Sequence, residues 1–162
     1  MGLAFALLGV TLAVGMPCAA AGTGISWVQS AAAAVTAENP DKFSKTLVFQ
    51  LVPTAAGLYG FVVGFLVMLN TVMAGSSAAL LSPVAGLVLF ASCLPVAFTV
   101  GAIPFFQAQV CTAGVVLVGQ NDEMLGRALT MSVISELFNL FGFIVSVISV
   151  MMLTSGDVLA SL

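Results

Sequence analysis

The chain is poor in charged residues. Its 162 residues include three basic and six acidic side chains and no histidine, so that 6% of the sequence is charged, against about 25% in an ordinary soluble domain. So few charges cannot give a folded domain a solvated surface. The lack of a basic face excludes a nucleic-acid binder, and three cysteines are too few for a disulfide scaffold.

Apolar residues take the place of the missing charges and make up 61% of the chain. This hydrophobicity excludes a disordered chain. Four apolar runs are long enough to cross the roughly 30 Å hydrocarbon core of a bilayer as helices. They extend approximately over residues 3–36, 43–73, 83–119 and 124–154. The sequence therefore predicts an all-α membrane protein, with a single membrane domain over residues 1–162 and four transmembrane helices.

The second half of the chain repeats the first half at a distance of 82 residues. Asn39 matches Asn121 on this shift, and Lys45 matches Arg127. The matches continue along the next apolar run: Leu47 with Leu129, Leu58 with Leu140, Gly60 with Gly142, Phe61 with Phe143 and Val63 with Val145. A repeat predicts two copies of one packing unit. We expect a tandem duplication of a helical hairpin, with the first hairpin over 3–73 and the second over 83–154.

The basic residues mark one side of the membrane. Lys42 and Lys45 follow the loop at Asn39, and Arg127 follows the loop at Asn121. The excess of basic residues in cytoplasmic loops predicts that both of these loops are cytoplasmic. Both termini, and the loop that joins the two hairpins, are then expected on the opposite side of the membrane.

Small residues recur at spacings of three and four along the first helix of each hairpin. They are Gly15, Ala19, Gly22, Ser26 and Ser30, and their counterparts Ala97, Gly101, Pro104, Ala108 and Thr112. Such stripes let helices approach closely in lipid, whereas the second helices carry bulkier phenylalanines. The pattern fits a ring of copies that is lined by the first helices, and it fits an ordinary four-helix bundle equally well.

One carboxyl group is predicted to lie deep in the membrane. Glu136 follows Asp122 by 14 residues, or about 21 Å of helix at about 1.5 Å per residue. A charge at that depth costs at least about 2.5 to 3.5 kcal/mol, so it requires a partner, a proton or a bound cation. We expect an ion site at Glu136. The structural alternative is a protonated side chain in an interhelical hydrogen bond.

Few other polar side chains reach a comparable depth. Gln107 and Tyr59 can both hydrogen-bond a carboxylate. Thr54, Ser132, Ser135 and Asn139 lie nearby. Thr54 is the counterpart of Glu136 in the first hairpin, so only the second hairpin carries the carboxyl group. We therefore expect one ion site per chain.

Several motifs occur together along the chain. They are ENPDKF at 38–43, QLVP at 50–53, GLYGF at 57–61, LPVAFT at 94–99, Gln107, and Glu136 ahead of Gly142 and Phe143. Over nearly its whole length the chain thus resembles the duplicated proteolipid, often called subunit K, of bacterial V-type (V/A-type) rotary ATPases. The resemblance implies a ring of identical subunits that serves as the membrane rotor.

The resemblance also implies a set of ion ligands. Sodium-binding members hold the cation with a glutamate on helix four, a glutamine on helix three, and a threonine, a glutamine and a backbone carbonyl on helix two, while a tyrosine hydrogen-bonds the glutamate. Glu136, Gln107 and Tyr59 match the glutamate, the helix-three glutamine and the tyrosine. Val52 would supply the backbone carbonyl.

Helix two departs from that pattern. Ala55 and Ala56 stand where sodium-binding members have a threonine and a glutamine, and Thr54 is one residue away, or about 100° around the helix. Sodium needs several oxygens to replace its hydration shell, whereas a proton needs the carboxyl group and a hydrogen-bonding neighbour. We predict that Glu136 carries a proton, with sodium at Glu136 as the alternative.

The resemblance further implies the partners. These are other copies of the chain, lipid, a stator membrane subunit that discharges and reloads Glu136, and a central-stalk subunit on the loops around Asn39 and Asn121. The expected location is the bacterial plasma membrane. The nucleotide chemistry belongs to other subunits, since this sequence has no phosphate-binding glycine loop, and no cofactor is expected.

Two other functions are compatible with four apolar helices and one intramembrane carboxyl group. The first is a self-assembled channel or pore in which Glu136 selects ions. The second is a structural membrane scaffold in which replacement of Glu136 has no effect.

Overall fold

The computed structural model describes residues 1–73 and 81–154. Its helices are α1 (Gly2–Glu38), α2 (Phe43–Met68), α3 (Pro83–Gln120), α4 (Leu125–Ile134) and α5 (Glu136–Thr154), with a π-helical turn at Leu69–Met73. Within these residues, four spans are long and apolar enough to cross a membrane, and α4 and α5 together form the fourth. The prediction of an all-α membrane protein with four transmembrane helices is confirmed. The loop around Gly75, between the hairpins, lies outside the described residues.

The two hairpin loops have the same local structure. The side chain of Asn39 accepts a hydrogen bond from the backbone N–H of Asp41 at 3.1 Å, and that of Asn121 accepts one from Glu123 at 2.9 Å. An asparagine whose side chain bonds the backbone two residues later starts a turn. A single 3₁₀ turn follows each asparagine and leads into the next helix.

The helices within each hairpin also pack in the same way. A Cβ atom on Gly60 of α2 would overlap the carbonyl oxygen of Ala13 on α1, and one on Gly142 of α5 would overlap the carbonyl oxygen of Pro95 on α3. Both residues of the second contact lie 82 positions after those of the first. The equivalent contacts confirm the tandem duplication of a helical hairpin.

The first helices of the two hairpins form the centre of the protomer. Helices α1 and α3 pack against each other, while α2 and α5 rest on this pair and contact each other less. A Cβ atom on Gly24 would lie 3.0 Å from that of Ala108, and one on Gly101 would lie 3.0 Å from that of Met16. Of the predicted stripes, Gly101 and Ala108 on α3 take part in this close approach. The α1 stripe does not, since Gly15, Ala19, Gly22, Ser26 and Ser30 are all exposed in the protomer.

The hairpin loops are joined by two ion pairs at one end of the helices. The Nζ atom of Lys42 lies 2.5 Å from Oδ1 of Asp122 and donates to the carbonyl of Val118 at 3.2 Å, and Nζ of Lys45 lies 2.8 Å from Oδ2 of Asp122. Lys42 is nearly buried, whereas Asp122 is half-exposed. The loops of both hairpins therefore lie side by side and present one surface.

The carboxyl group of Asp122 makes this connection sensitive to acid. Hydrogen bonds from Lys42 and then from Lys45 lower the pKa of Asp122 below its ordinary value of about 3.8. A lowered pKa stabilises the folded state above that ordinary value, and the stabilisation is lost as the pH falls through the lowered value. We expect native protein in detergent to melt above Asp122→Asn at pH 7, with the gap closing below about pH 4. A gap that is constant with pH would contradict this account.

The glycine contact between α5 and α3 should not tolerate a methyl group. We expect Gly142→Ala to lower the free energy of unfolding by about 1 to 3 kcal/mol, because the added Cβ meets Thr99 and the Pro95 carbonyl in a packed interface. Gly126→Ala is the matched control, since no atom lies within 4 Å of a Cβ there. Thermal melting in detergent measures both variants. Equal melting temperatures for the two would show that the close approach does not matter.

Candidate functional site

The fourth span is interrupted at the membrane-embedded carboxyl group. Helix α4 ends at Ile134, Ser135 forms a turn, and α5 begins at Glu136. The hydroxyl of Ser135 donates to the carbonyl of Ser132 at 3.0 Å, and the N–H of Phe138 donates to the carbonyl of Ser135 at 3.3 Å. The apolar run at 124–154 predicts one span without a break, so this turn was not predicted. The turn places Glu136 in the first helical turn of α5.

Two buried amide side chains hold the carboxyl group. The Nε2 atom of Gln107 on α3 donates to Oε2 of Glu136 at 2.7 Å, and Nδ2 of Asn139 on α5 donates to the same oxygen at 3.1 Å. Gln107 and Asn139 are both fully buried, while Glu136 is half-buried. Hydrogen bonds from two donors stabilise the ionised form of a carboxyl group.

The same three side chains have three further oxygens without a partner. Oε1 of Gln107, Oε1 of Glu136 and Oδ1 of Asn139 are buried, and within the described part of the chain none accepts a hydrogen bond. Buried polar atoms in proteins are nearly always paired, so each exception requires an explanation. Here the exceptions belong to three side chains that meet at Oε2 of Glu136.

Helix α2 contributes an aromatic side chain to this group. The phenol of Tyr59 lies beside the carboxyl group of Glu136, and its ring packs against Phe143 with the centroids 5.0 Å apart. The structure thus brings together Glu136, Gln107 and Tyr59, three of the residues that the sequence analysis selected.

The other helix-two residues behave differently. Thr54 is exposed, and its hydroxyl donates to the carbonyl of Gln50 in its own helix at 2.9 Å. Thr54 is therefore not among the groups that contact Glu136. Val52 lies within α2, whose helical backbone continues past Pro53. Ala55 is half-buried and Ala56 fully buried, and neither has a side-chain oxygen.

Asn139 is the residue to which the sequence analysis assigned no role. It was noted there only as a nearby polar group. It follows Glu136 by three positions, and residues three apart share one face of a helix. This spacing, in a span with so few polar residues, was the signal that could have selected it.

The first hairpin has no equivalent of this group. A shift of 82 residues places Ile25, Thr54 and Gly57 at the positions of Gln107, Glu136 and Asn139. All three side chains of the second hairpin are thus replaced by ones without a carboxyl or amide group. Within residues 1–73 and 81–154 this arrangement occurs once, between α3 and α5.

The surface beside Glu136 is an open apolar groove of about 490 Å³. Its lining consists of Leu129, Thr130, Val133, Ile134, Glu136, Leu137 and Leu140. Glu136 is the one acidic member, so the carboxyl group can be reached from the apolar outer face of the fourth span. Within the described residues, no three histidine, cysteine or acidic side chains come together.

Comparison with known proteins gives consistent matches for the two hairpins. The family model that describes the C subunit of ATP synthase matches twice, over residues 8–67 and 90–149. The chain is 32% identical to the V-type sodium ATPase subunit K of Enterococcus hirae over 150 residues, which cover 93% of this chain and 92% of that protein. It is 28% identical to the A-type ATP synthase subunit K of Methanocaldococcus jannaschii over 150 residues, or 93% of this chain and 63% of that protein.

Proposed function

The chain belongs to the family of ATP synthase C subunits, and from this premise we propose that it is a rotor subunit of a V/A-type ATPase and carries one cation on Glu136. Proteolipids of this family are non-catalytic and move ions across the membrane, and this chain is one of them. The observation that carries the proposal is the position of Glu136 inside a transmembrane span, held by Gln107 and Asn139. Tyr59 beside the carboxyl group supports the same site.

The proposed cycle follows from the cost of charge in lipid. While Glu136 faces the bilayer it is neutral, either protonated or paired with its cation, because a bare carboxylate there is too costly. At a stator membrane subunit, a basic side chain and water allow the carboxylate to release its cation and take another. Only a Glu136 carboxyl group that holds its cation can move through lipid. Release of the cation to one side of the membrane and uptake of another from the opposite side therefore drive rotation in one direction.

The packing of the helices supports a ring of copies with α1 and α3 on the inside. These two helices form the close-packed centre of the protomer, and the exposed face of α1 carries the small residues Gly15, Gly22 and Ser26. The ion pairs at Asp122 hold both hairpin loops in one surface, which we propose is cytoplasmic and binds the central stalk. The proposed location is the bacterial plasma membrane.

The identity of the cation depends on the available oxygens. Ala55 and Ala56 on α2 offer none, and this favours the proton as the carried ion. Oxygen atoms without partners on Gln107, Glu136 and Asn139 favour sodium as a second candidate. The relative from E. hirae is a sodium ATPase subunit by name, whereas the relative from M. jannaschii is named without an ion.

Replacing the carboxyl group should abolish transport without affecting assembly. Glu136→Gln has nearly the same volume and cannot bind a transportable cation, so we expect ATP-driven ion uptake into membrane vesicles to fall to background while rings of native size form. Asn70→Ala is the control, because Asn70 is exposed and bonds the carbonyl of Leu66 in its own helix. It should pump normally. Normal pumping by Glu136→Gln would refute the proposal and favour a structural scaffold.

The purified chain should not leak ions by itself. We expect rings reconstituted into liposomes to hold a sodium or proton gradient, since the rotor requires a stator to exchange its cation with water. Fluorescent indicators of internal pH and sodium measure the leak. Steady conductance that Glu136→Gln removes would instead identify a channel or pore.

A further inference from the structure

We propose that Asn139 supplies an oxygen ligand to a sodium site that it forms with Gln107 and Glu136. The proposal rests on the proposed function and specifies its ion. The oxygen that α2 does not provide then comes from α5. With this additional ligand, sodium rather than the proton is the favoured cation.

The first step is the hydrogen-bond balance of the three side chains. The amide nitrogens of Gln107 and Asn139 both donate to Oε2 of Glu136. Each amide therefore has its oxygen free, and Oε1 of the carboxylate is free as well. All three of these atoms are acceptors, so none can satisfy another.

A proton alone does not satisfy these oxygens. If Oε1 of Glu136 carries a proton, that O–H can donate to one amide oxygen. The other amide oxygen stays buried without a partner, which is unfavourable for a polar atom. A metal cation contacts several oxygens at once, and these side chains offer it a carboxylate oxygen and two amide oxygens.

The charge of the site selects a monovalent ion. Glu136 supplies a single negative charge, and the two amide ligands are neutral. A monovalent cation makes the site neutral, as a carrier in lipid requires, whereas a divalent cation would leave one positive charge in the membrane. Neutral amide oxygens and a carboxylate are the hard ligands that alkali and alkaline-earth cations prefer over soft transition metals.

The position of Asn139 explains why this site can bind sodium without oxygens from α2. The hydroxyl of Thr54 is exposed and bonded within its own helix, and Ala55 and Ala56 have no oxygen to offer. Asn139 is fully buried, about one helical turn after Glu136 on α5. The first hairpin, which lacks the carboxyl group, has Gly57 at the matching position, so the amide occurs only with the carboxylate.

Protection of Glu136 from a carbodiimide tests the proposal on the assembled complex in membranes. The reagent reacts with the carboxyl group, and a bound cation blocks it. At constant pH and ionic strength, we expect sodium to protect the native chain and Asn139→Ala to need at least about tenfold more sodium, as losses of metal-site groups typically show. Each protein's own labelling rate without sodium is its reference, because the alanine variant also loses the hydrogen bond from Asn139 to Oε2 of Glu136.

Control variants distinguish a residue that binds the cation from one that only positions Glu136. Asn70→Ala removes an exposed amide outside the site and should leave the protecting sodium concentration unchanged. If Asn139 only orients Glu136, Asn139→Ala would leave the protecting sodium concentration unchanged whatever its effect on the rate without sodium, which would overturn the proposal. If the alanine variant does not assemble, Asn139→Ser keeps a side-chain oxygen and should show protection weaker than native. Native-like protection in Asn139→Ser would contradict the amide ligand.

Different results would refute the sodium site and the proposed carrier function. If the native chain is labelled at Glu136 at the same rate with and without sodium, the sodium site is refuted while a proton-carrying rotor stands. Protection by potassium at the concentrations at which sodium acts would likewise exclude a sodium site. If the reagent does not label Glu136 under any condition, the proposed carrier function itself is refuted.

Discussion

A carboxylate in the hydrocarbon core of a membrane cannot remain charged and alone, and the structure around Glu136 is organised by this constraint. Two buried amides donate to one carboxylate oxygen, and a tyrosine lies beside the group. The helix that carries the carboxyl group is interrupted one residue earlier, so that the group lies in the first turn of α5. A carboxylate at this position would have its charge balanced by the carried cation.

The duplication supplies the rigid frame in which this site occurs once. Equivalent glycine contacts, at Gly60 and Gly142, fix the second helix of each hairpin on the first, and equivalent asparagine turns close both loops. The frame is the same in both halves, whereas the polar residues of the site occur in one half only. Structure and ion binding are thus separable, because packing depends on small residues and the site depends on a few side chains between α3 and α5.

Much of the fold and part of the site follow from the sequence. Four apolar runs, the 82-residue repeat and the scarcity of charge predict four spans and single out Glu136, since little else in the chain can be charged in lipid. The turn at Ser135 was missed because serine is compatible with a helix, and no proline or glycine marks the break. The role of Asn139 was missed because a partner for its oxygen becomes a question only when burial and hydrogen bonds are known. Thr54 shows the opposite case. Its depth in the membrane made it a candidate for the site, but its hydroxyl donates to a carbonyl of its own helix.

The most direct measurement is a high-resolution structure of the assembled ring in sodium, compared with one in a large organic cation at the same pH. The account predicts a closed ring with α1 and α3 on its inner face. In sodium alone, each chain would have one density among Oε1 of Glu136, Oε1 of Gln107 and Oδ1 of Asn139. A closed ring without that density would contradict the sodium site. The absence of a ring, or a Glu136 side chain that faces away from both amides, would contradict the carrier itself.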